Sequence, residues 1–284
     1  MTEKIAIILG ATRGIGRALP GVLGAALGTG AIIYVTARNA ADGERLAREL
    51  GGEGVTARWL AFDLADPASP ARVAAILRER HGGVDVVVQN GAYMPRNGIS
   101  AVEDARPMIV SNSHGTLRVL RSFLPILRPD GRLVIVASSM GLLRNLPEHL
   151  RARFDTTRAD PDAINATMDA YVSAVEAGAA AAEGWPDWVN YPSKVGQVAV
   201  TRAFARWAKE AGVLPAGALI NAACPGVTLT DATRDFMGTV FKPEDAQTPE
   251  QAALGLAQLA TLPAGTSEPY GELVRHGKVL RFGD

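Results

Sequence analysis

Gly10, Gly14 and Gly16 stand at G-x-x-x-G-x-G spacing, directly after five apolar residues, Ile5–Leu9, and at the start of a helical pattern, Ile15–Leu27. Glycine at such points lets the backbone turn tightly and approach a pyrophosphate, whose charge then rests on the helix N-terminus. Three glycines alone do not specify a ligand; the strand before, the helix after and a second strand ending near residue 37 supply the context. The candidate contacts in this loop are Gly10, Thr12, Arg13, Gly14, Ile15 and Gly16. Pro20, inside the following helix, is expected to kink it or loosen its first turns.

The second apolar run ends Val35-Thr36-Ala37-Arg38-Asn39. An NAD-selective site wants a carboxylate here for the ribose hydroxyls, and none occurs between Tyr34 and Ala41. Arg38 instead offers a planar fork suited to a 2′-phosphate, with Arg13 as a second cation, so the spacing favours NADP. Further on, Asp63 in Phe62-Asp63-Leu64 could accept from an adenine amino group. Asn90, in the small polar turn Gln89-Asn90-Gly91-Ala92, would face the same ligand.

These residues need a frame that brings strand ends together. Continuous apolar runs recur at Ile5–Leu9, Ile32–Val35, Trp59–Phe62, Val84–Val88, Leu133–Ala137 and Leu219–Ala223, and unbroken apolarity marks strands covered on both faces. Helical patterns lie between them at Ile15–Leu27, Ala41–Leu50, Ser69–Arg80, Ala101–Leu127 and Val195–Ala211. The alternation predicts an α/β, Rossmann-type doubly wound parallel sheet of about seven strands, with a last edge strand near Glu272–Val274 and right-handed crossovers. Residues 1–284 are expected to form a single NADP-binding domain. Residues 141–189 break the rhythm and read as a substrate-side insert or lid with its own helix, Pro161 through Ala182, capped by Asp160.

Composition excludes several classes. Lys plus Arg equals Asp plus Glu at 29 each, so no global field recruits nucleic acid or an anionic membrane. The uncharged stretch from Ala18 to Ala37 is interrupted by Pro20 and Gly28-Thr29-Gly30, so a buried helix and strand are expected rather than a membrane span. The lone cysteine, Cys224, allows no internal disulfide, fits a reducing compartment and reads as a packed small hydrophobe. No signal peptide is evident, and a cytoplasmic location is expected. His114 and His149 have no partners at metal spacing, so no metal is assigned.

The order of the glycine loop, Asp63-Leu64, Gln89–Ala92, Asn112 in Ser-Asn-Ser-His-Gly-Thr, Ser138-Ser139 and Cys224-Pro225-Gly226 resembles the short-chain dehydrogenases/reductases over essentially the whole chain. The long insert ending Glu183-Gly184-Trp185-Pro186 is similar to the monomeric carbonyl-reductase branch. The resemblance implies reduction of a ketone, aldehyde or quinone with NADPH. It gives Ser139 the substrate oxygen, Lys194 the ribose and an electrostatic role, and Asn112 a relay water. Pro225, Val227 and Thr230 match the loop that holds the carboxamide and pyrophosphate.

The family's proton donor is a tyrosine four residues before the lysine, one helix face with it. Here the text reads Asn190-Tyr191-Pro192-Ser193-Lys194, so Asn190 takes that slot and Tyr191 is one residue late, about 100° around a helix. Pro192 favours an extended residue before it, which would let Tyr191 swing in from outside the helix; this is the preferred reading. The alternatives are Asn190 as a neutral donor with the proton coming from water or substrate, and a loss of reduction in favour of non-redox chemistry such as cyclisation or isomerisation. Met94, Met140, Leu142, Trp185, Trp188 and Met237 are expected to rim the reacting end and to suit a bulky apolar small molecule. The insert would cover the face that relatives use to assemble, so a monomer is expected.

Overall fold

The computed structural model describes residues 3–52 and 54–284. In chain order the elements are β1 (Ile5–Leu9), α1 (Gly14–Leu27), β2 (Ile32–Ala37), α2 (Ala40–Gly52), β3 (Thr56–Ala61), α3 (Ser69–His81), β4 (Val84–Gln89), α4 (Ala101–Ile109), α5 (Gly115–Phe123), β5 (Leu127–Val136), α6 (Glu148–Arg151), α7 (Pro161–Glu176), α8 (Asn190–Glu210), β6 (Leu219–Ala223), α9 (Asp231–Arg234), α10 (Pro249–Ala260), β7 (Leu273–Arg275) and β8 (Lys278–Leu280). The sheet order is β3-β2-β1-β4-β5-β6-β7-β8. All neighbours run parallel except β7 and β8.

The apolar runs become strands because helices cover both sides. β1, β2, β4 and β6 are buried at every position. One apolar cluster lies beneath α3, α4, α5, α7 and α8, the other beneath α1, α2 and α10. The third strand departs from expectation: Thr56–Ala61 is an edge, with exposed and half-buried positions alternating over most of its length. The other edge is an eighth strand, beyond the seven expected. His276 and Gly277 both take positive φ (47° and 73°), the geometry of a tight two-residue hairpin, and fold β8 back onto β7.

Three helical expectations change. α1 runs unbroken through Pro20, whose missing N–H removes only one intrahelical bond. The pattern expected over Ala101–Leu127 is divided by a π-turn, Val110–His114, which separates α4 from α5 and carries Asn112. The third is the segment 141–189, whose apolar residues join the main core and none of whose residues lines the cleft described below. α7, capped by the Asp160 side chain accepting from the Asp162 amide, packs along α8 and α4. Trp185 is 3% exposed, with Phe154 edge-on at 6.4 Å and Tyr171 at 4.7 Å. An apolar helix face must be covered, and the flanks of α4 and α8 offer the surface. Among the described residues no helix is long and apolar enough to cross a membrane.

Candidate active site

A cleft of about 1210 Å³ runs over the C-terminal ends of the strands, where ligands bind in open α/β sheets. At one end lies the glycine loop. Gly10 has φ +90°, and a Cβ there would meet the Gly91 nitrogen at 2.5 Å. A Cβ on Gly16 would sit 2.0 Å from the Gly10 carbonyl oxygen, and one on Gly14 3.1 Å from Thr230 Cγ2. The cradle is therefore closed to side chains and open to a ligand's phosphates. Two strands pin it. Asn90 Nδ2 donates to the Gly10 carbonyl at 2.9 Å, and the Gly10 amide donates to Thr36 Oγ1 at 2.9 Å. Thr36 was not singled out from the sequence; only its place one strand over from the loop could have flagged it.

Gly10, Thr12, Arg13, Gly14, Ile15, Arg38, Asp63, Leu64 and Asn90 all line the cleft, as do Pro225, Val227 and Thr230; Gly16 lies behind the loop, buried. Arg13 and Arg38 are exposed and form no ion pair among the described residues. The nearest acid in sequence, Asp42, is held by Arg45 Nη2 at 2.7 Å and by Asn39 Nδ2 at 2.9 Å. The first turn of α1 has no acidic residue and no side-chain cap, so its amides and dipole remain open to an anion. This donor set fits a dinucleotide with an additional phosphate on its ribose.

At the other end the chain brings Ser139, Asn190 and Lys194 to the cleft wall. Ser139 stands in a tight turn after β5. Its amide donates to Cys224 Sγ at 3.2 Å and its carbonyl accepts from Asn145 Nδ2 at 3.1 Å, while its hydroxyl has no partner among the described residues. Cys224 is thus buried yet engaged, more than a packing residue. A Cβ on Gly141 would lie 2.5 Å from the Lys194 carbonyl, and that close approach docks the serine turn against α8. Lys194 is 5% exposed, and burial pushes its ammonium down to about 8, with the Cys224 sulfur acting the other way. Its Nζ donates to Gln197 Oε1 at 2.9 Å. Gln197 and Gln89 both reach Thr116 Oγ1, at 3.4 and 2.8 Å, in a buried polar chain that the sequence did not disclose.

Two expected residues are placed elsewhere. Asn112 is fully buried away from the cleft lining. Its Oδ1 accepts from the Tyr93 amide at 2.8 Å, and its Nδ2 donates to the Tyr93 carbonyl at 2.8 Å and to Ser193 Oγ at 2.9 Å. Both amide protons are spent on holding the loop after β4 to α8. Tyr191 is also absent from the lining. α8 begins at Asn190, so Pro192 sits in the first turn, where its missing N–H costs nothing and the residue before it remains helical. Rotated off the face shared by Asn190 and Lys194, the Tyr191 ring packs edge-on against Trp188 at 5.3 Å. The structure does not bring Tyr191 together with Ser139 and Lys194; it brings Asn190.

Asn190 is 1% exposed; its Nδ2 donates to Met140 Sδ at 3.3 Å, and its Oδ1 is buried without a partner among the described residues. Such an orphan costs about 1–3 kcal/mol unless a ligand or water satisfies it. Of the apolar residues expected around it, Met94 and Met140 line the cleft, joined by Phe236 and Phe241. Leu142 and Trp185 belong to the core, Met237 lies off the lining, and Trp188 wedges between Tyr191 and Phe236, 5.7 Å from the latter. No cluster among the described residues could hold a metal ion.

Residues 4–148 match the family model described as short chain dehydrogenase. The chain is 33% identical to carbonyl reductase (NADPH) 3 of Rattus norvegicus over 278 residues, 96% of each protein. It is 30% identical to carbonyl reductase (NADPH) 1 of Sus scrofa, across 99% of this chain and 94% of that one. Salutaridine reductase from Papaver somniferum has the same fold, with a TM-score of 0.80 at 19% identity over 95% of this chain and 99% of that one.

Proposed function

Because the chain belongs to the short chain dehydrogenase family, we propose that it is an oxidoreductase that uses NADPH to reduce a carbonyl group of a small molecule. The observation that carries this reading is a single cleft with a phosphate cradle at one end and Ser139 with Lys194 at the other. Bound NADPH supplies the hydride. The amides of the glycine loop and of α1 hold its phosphates, Arg13 and Arg38 its 2′-phosphate, Asp63 and Leu64 its adenine side, and Pro225, Val227 and Thr230 its far half. The Ser139 hydroxyl, without another partner, donates to the substrate oxygen. The Lys194 ammonium stabilises the negative charge that develops there.

The one tyrosine on the cleft lining, Tyr93, spends its hydroxyl on Asp104 Oδ1 at 2.9 Å, so no phenol stands ready to give a proton. An amide releases none near neutrality, so for a ketone the proton comes from solvent and turnover is slowed. That placement of Asn190 favours a second reading, in which the same fold and cofactor serve altered chemistry. Met94, Met140, Phe236 and Phe241 make the substrate wall apolar and suit a bulky molecule. The packing of α7 over α4 and α8 supports a protein that works as one chain, and the single unpaired Cys224 supports a reducing compartment such as the cytoplasm.

The cofactor half is tested by titrating NADPH and NADH into the protein and its Arg38→Ala variant. One charge-assisted contact is worth about 1.5–3 kcal/mol, so the variant should bind NADPH about 10- to 150-fold more weakly and NADH unchanged. Equal affinity of the unaltered protein for both nucleotides would remove the assignment.

A further inference from the structure

The amide at position 190 presents the wrong group to a ketone. A thioether accepts hydrogen bonds and donates none, so the amide nitrogen belongs on Met140, and the unpaired, solvent-shielded atom is the oxygen Oδ1. A ketone oxygen has lone pairs and no proton. Against Oδ1 it would set acceptor against acceptor. A protonated imine carries its hydrogen on the very atom that gains the electron pair when hydride arrives at carbon.

We propose that the site also reduces protonated imines, the iminium N–H donating to Asn190 Oδ1. This rests on the reading of the protein as an NADPH-dependent hydride-transfer enzyme. In the step, hydride adds to the imine carbon, the C=N π pair becomes the nitrogen lone pair, and NADPH becomes NADP⁺. The N–H proton stays where it was and the product is a neutral amine, so no proton leaves the protein and the missing phenol is not needed. The surroundings agree. Lys194 Nζ is tied to Gln197 Oε1 at 2.9 Å, within its own helix. The lining residues Phe236, Phe241, Met94 and Met140 offer aromatic faces and polarisable sulfur, which tolerate a cation with an apolar body.

The experiment compares a cyclic imine, dihydroisoquinoline, with the ketone of matching shape, tetralone. NADPH oxidation is the readout, and NADPH binding is measured separately by fluorescence. The unaltered protein should show kcat/KM about 10²-fold or more higher for the imine, the range that general acid catalysis of the ketone would otherwise supply. Asn190→Leu should lose at least about tenfold of the imine rate, the worth of one hydrogen bond to a charged group, while binding NADPH as before; Asn190→Asp, which keeps an acceptor, should retain it. NADPH binding with tetralone reduced as fast as the imine, or an unchanged imine rate in a folded, NADPH-binding Asn190→Leu, would overturn the proposal and leave ketone reduction standing. Failure to bind NADPH, or no turnover of either compound, would overturn both.

Discussion

Asn190→Tyr should raise kcat/KM for ketone reduction by about 10²- to 10⁴-fold, the usual contribution of a positioned general acid. Asn190 and Lys194 share a face of α8, four residues apart, and both line the cleft with Ser139. The buried ammonium that would stabilise a phenolate is already in place. The new ring must displace the Met140 side chain, an unbranched and adaptable neighbour. Steady-state kinetics on the ketone checks this, with NADPH affinity as the control. A folded variant that binds NADPH normally and shows no gain would mean that proton supply does not limit the reaction.

The second large effect is on stability, through Lys194. Its ammonium is held at about 8 in the folded chain against a usual 10.5, so the folded state disfavours the charged form. Below about 8 both states hold the proton and the whole penalty is present. Between about 8 and 10.5 the unfolded chain binds the extra proton, so this group makes stability rise with pH. At about 1.4 kcal/mol per pH unit the gain is on the order of 3 kcal/mol. Tyr171 and Tyr270 oppose it near the top of the window, because burial raises both. The comparison with Lys194→Met cancels their contribution. Urea unfolding at about pH 7 and about pH 10 should show the unaltered protein gaining relative to the variant. Parallel curves for the two would contradict the buried, destabilised ammonium.

The strands and the cofactor end were legible because their signals are local. An unbroken apolar run such as Ile5–Leu9 can only be covered on both faces, and Gly10 and Gly16 stand where backbone meets backbone. β8 was not legible, since Lys278–Leu280 is short, partly exposed and defined only by a turn at His276-Gly277. The packing of the insert is hidden for a related reason. Leu142 and Trp185 announce burial, but a sequence does not say whether they bury against a ligand or against α4 and α8.

At the reacting end, Ser139 and Lys194 were found by their place in the resemblance, and the one-residue displacement of the tyrosine was plain in the text. Which of Asn190 and Tyr191 reaches the cleft depends on where α8 begins. A proline two residues inside is compatible with either answer. With α8 starting at Asn190, it is Asn190 and not Tyr191 that lies on the cleft lining. Gln197, Thr116 and Gln89 escaped notice because they lie on three elements, α8, α5 and β4, and only the fold joins them into a chain behind Lys194.

Hydride transfer itself is tested by supplying NADPH deuterated at the reactive carbon of its nicotinamide and weighing the products formed from tetralone and from dihydroisoquinoline. Product alcohol or amine carrying one deuterium on the former carbonyl or imine carbon is the expected result. Reduced or rearranged product without deuterium, formed while both prochiral forms of the labelled cofactor bind normally, would contradict NADPH-dependent reduction and leave the cofactor as a structural ligand.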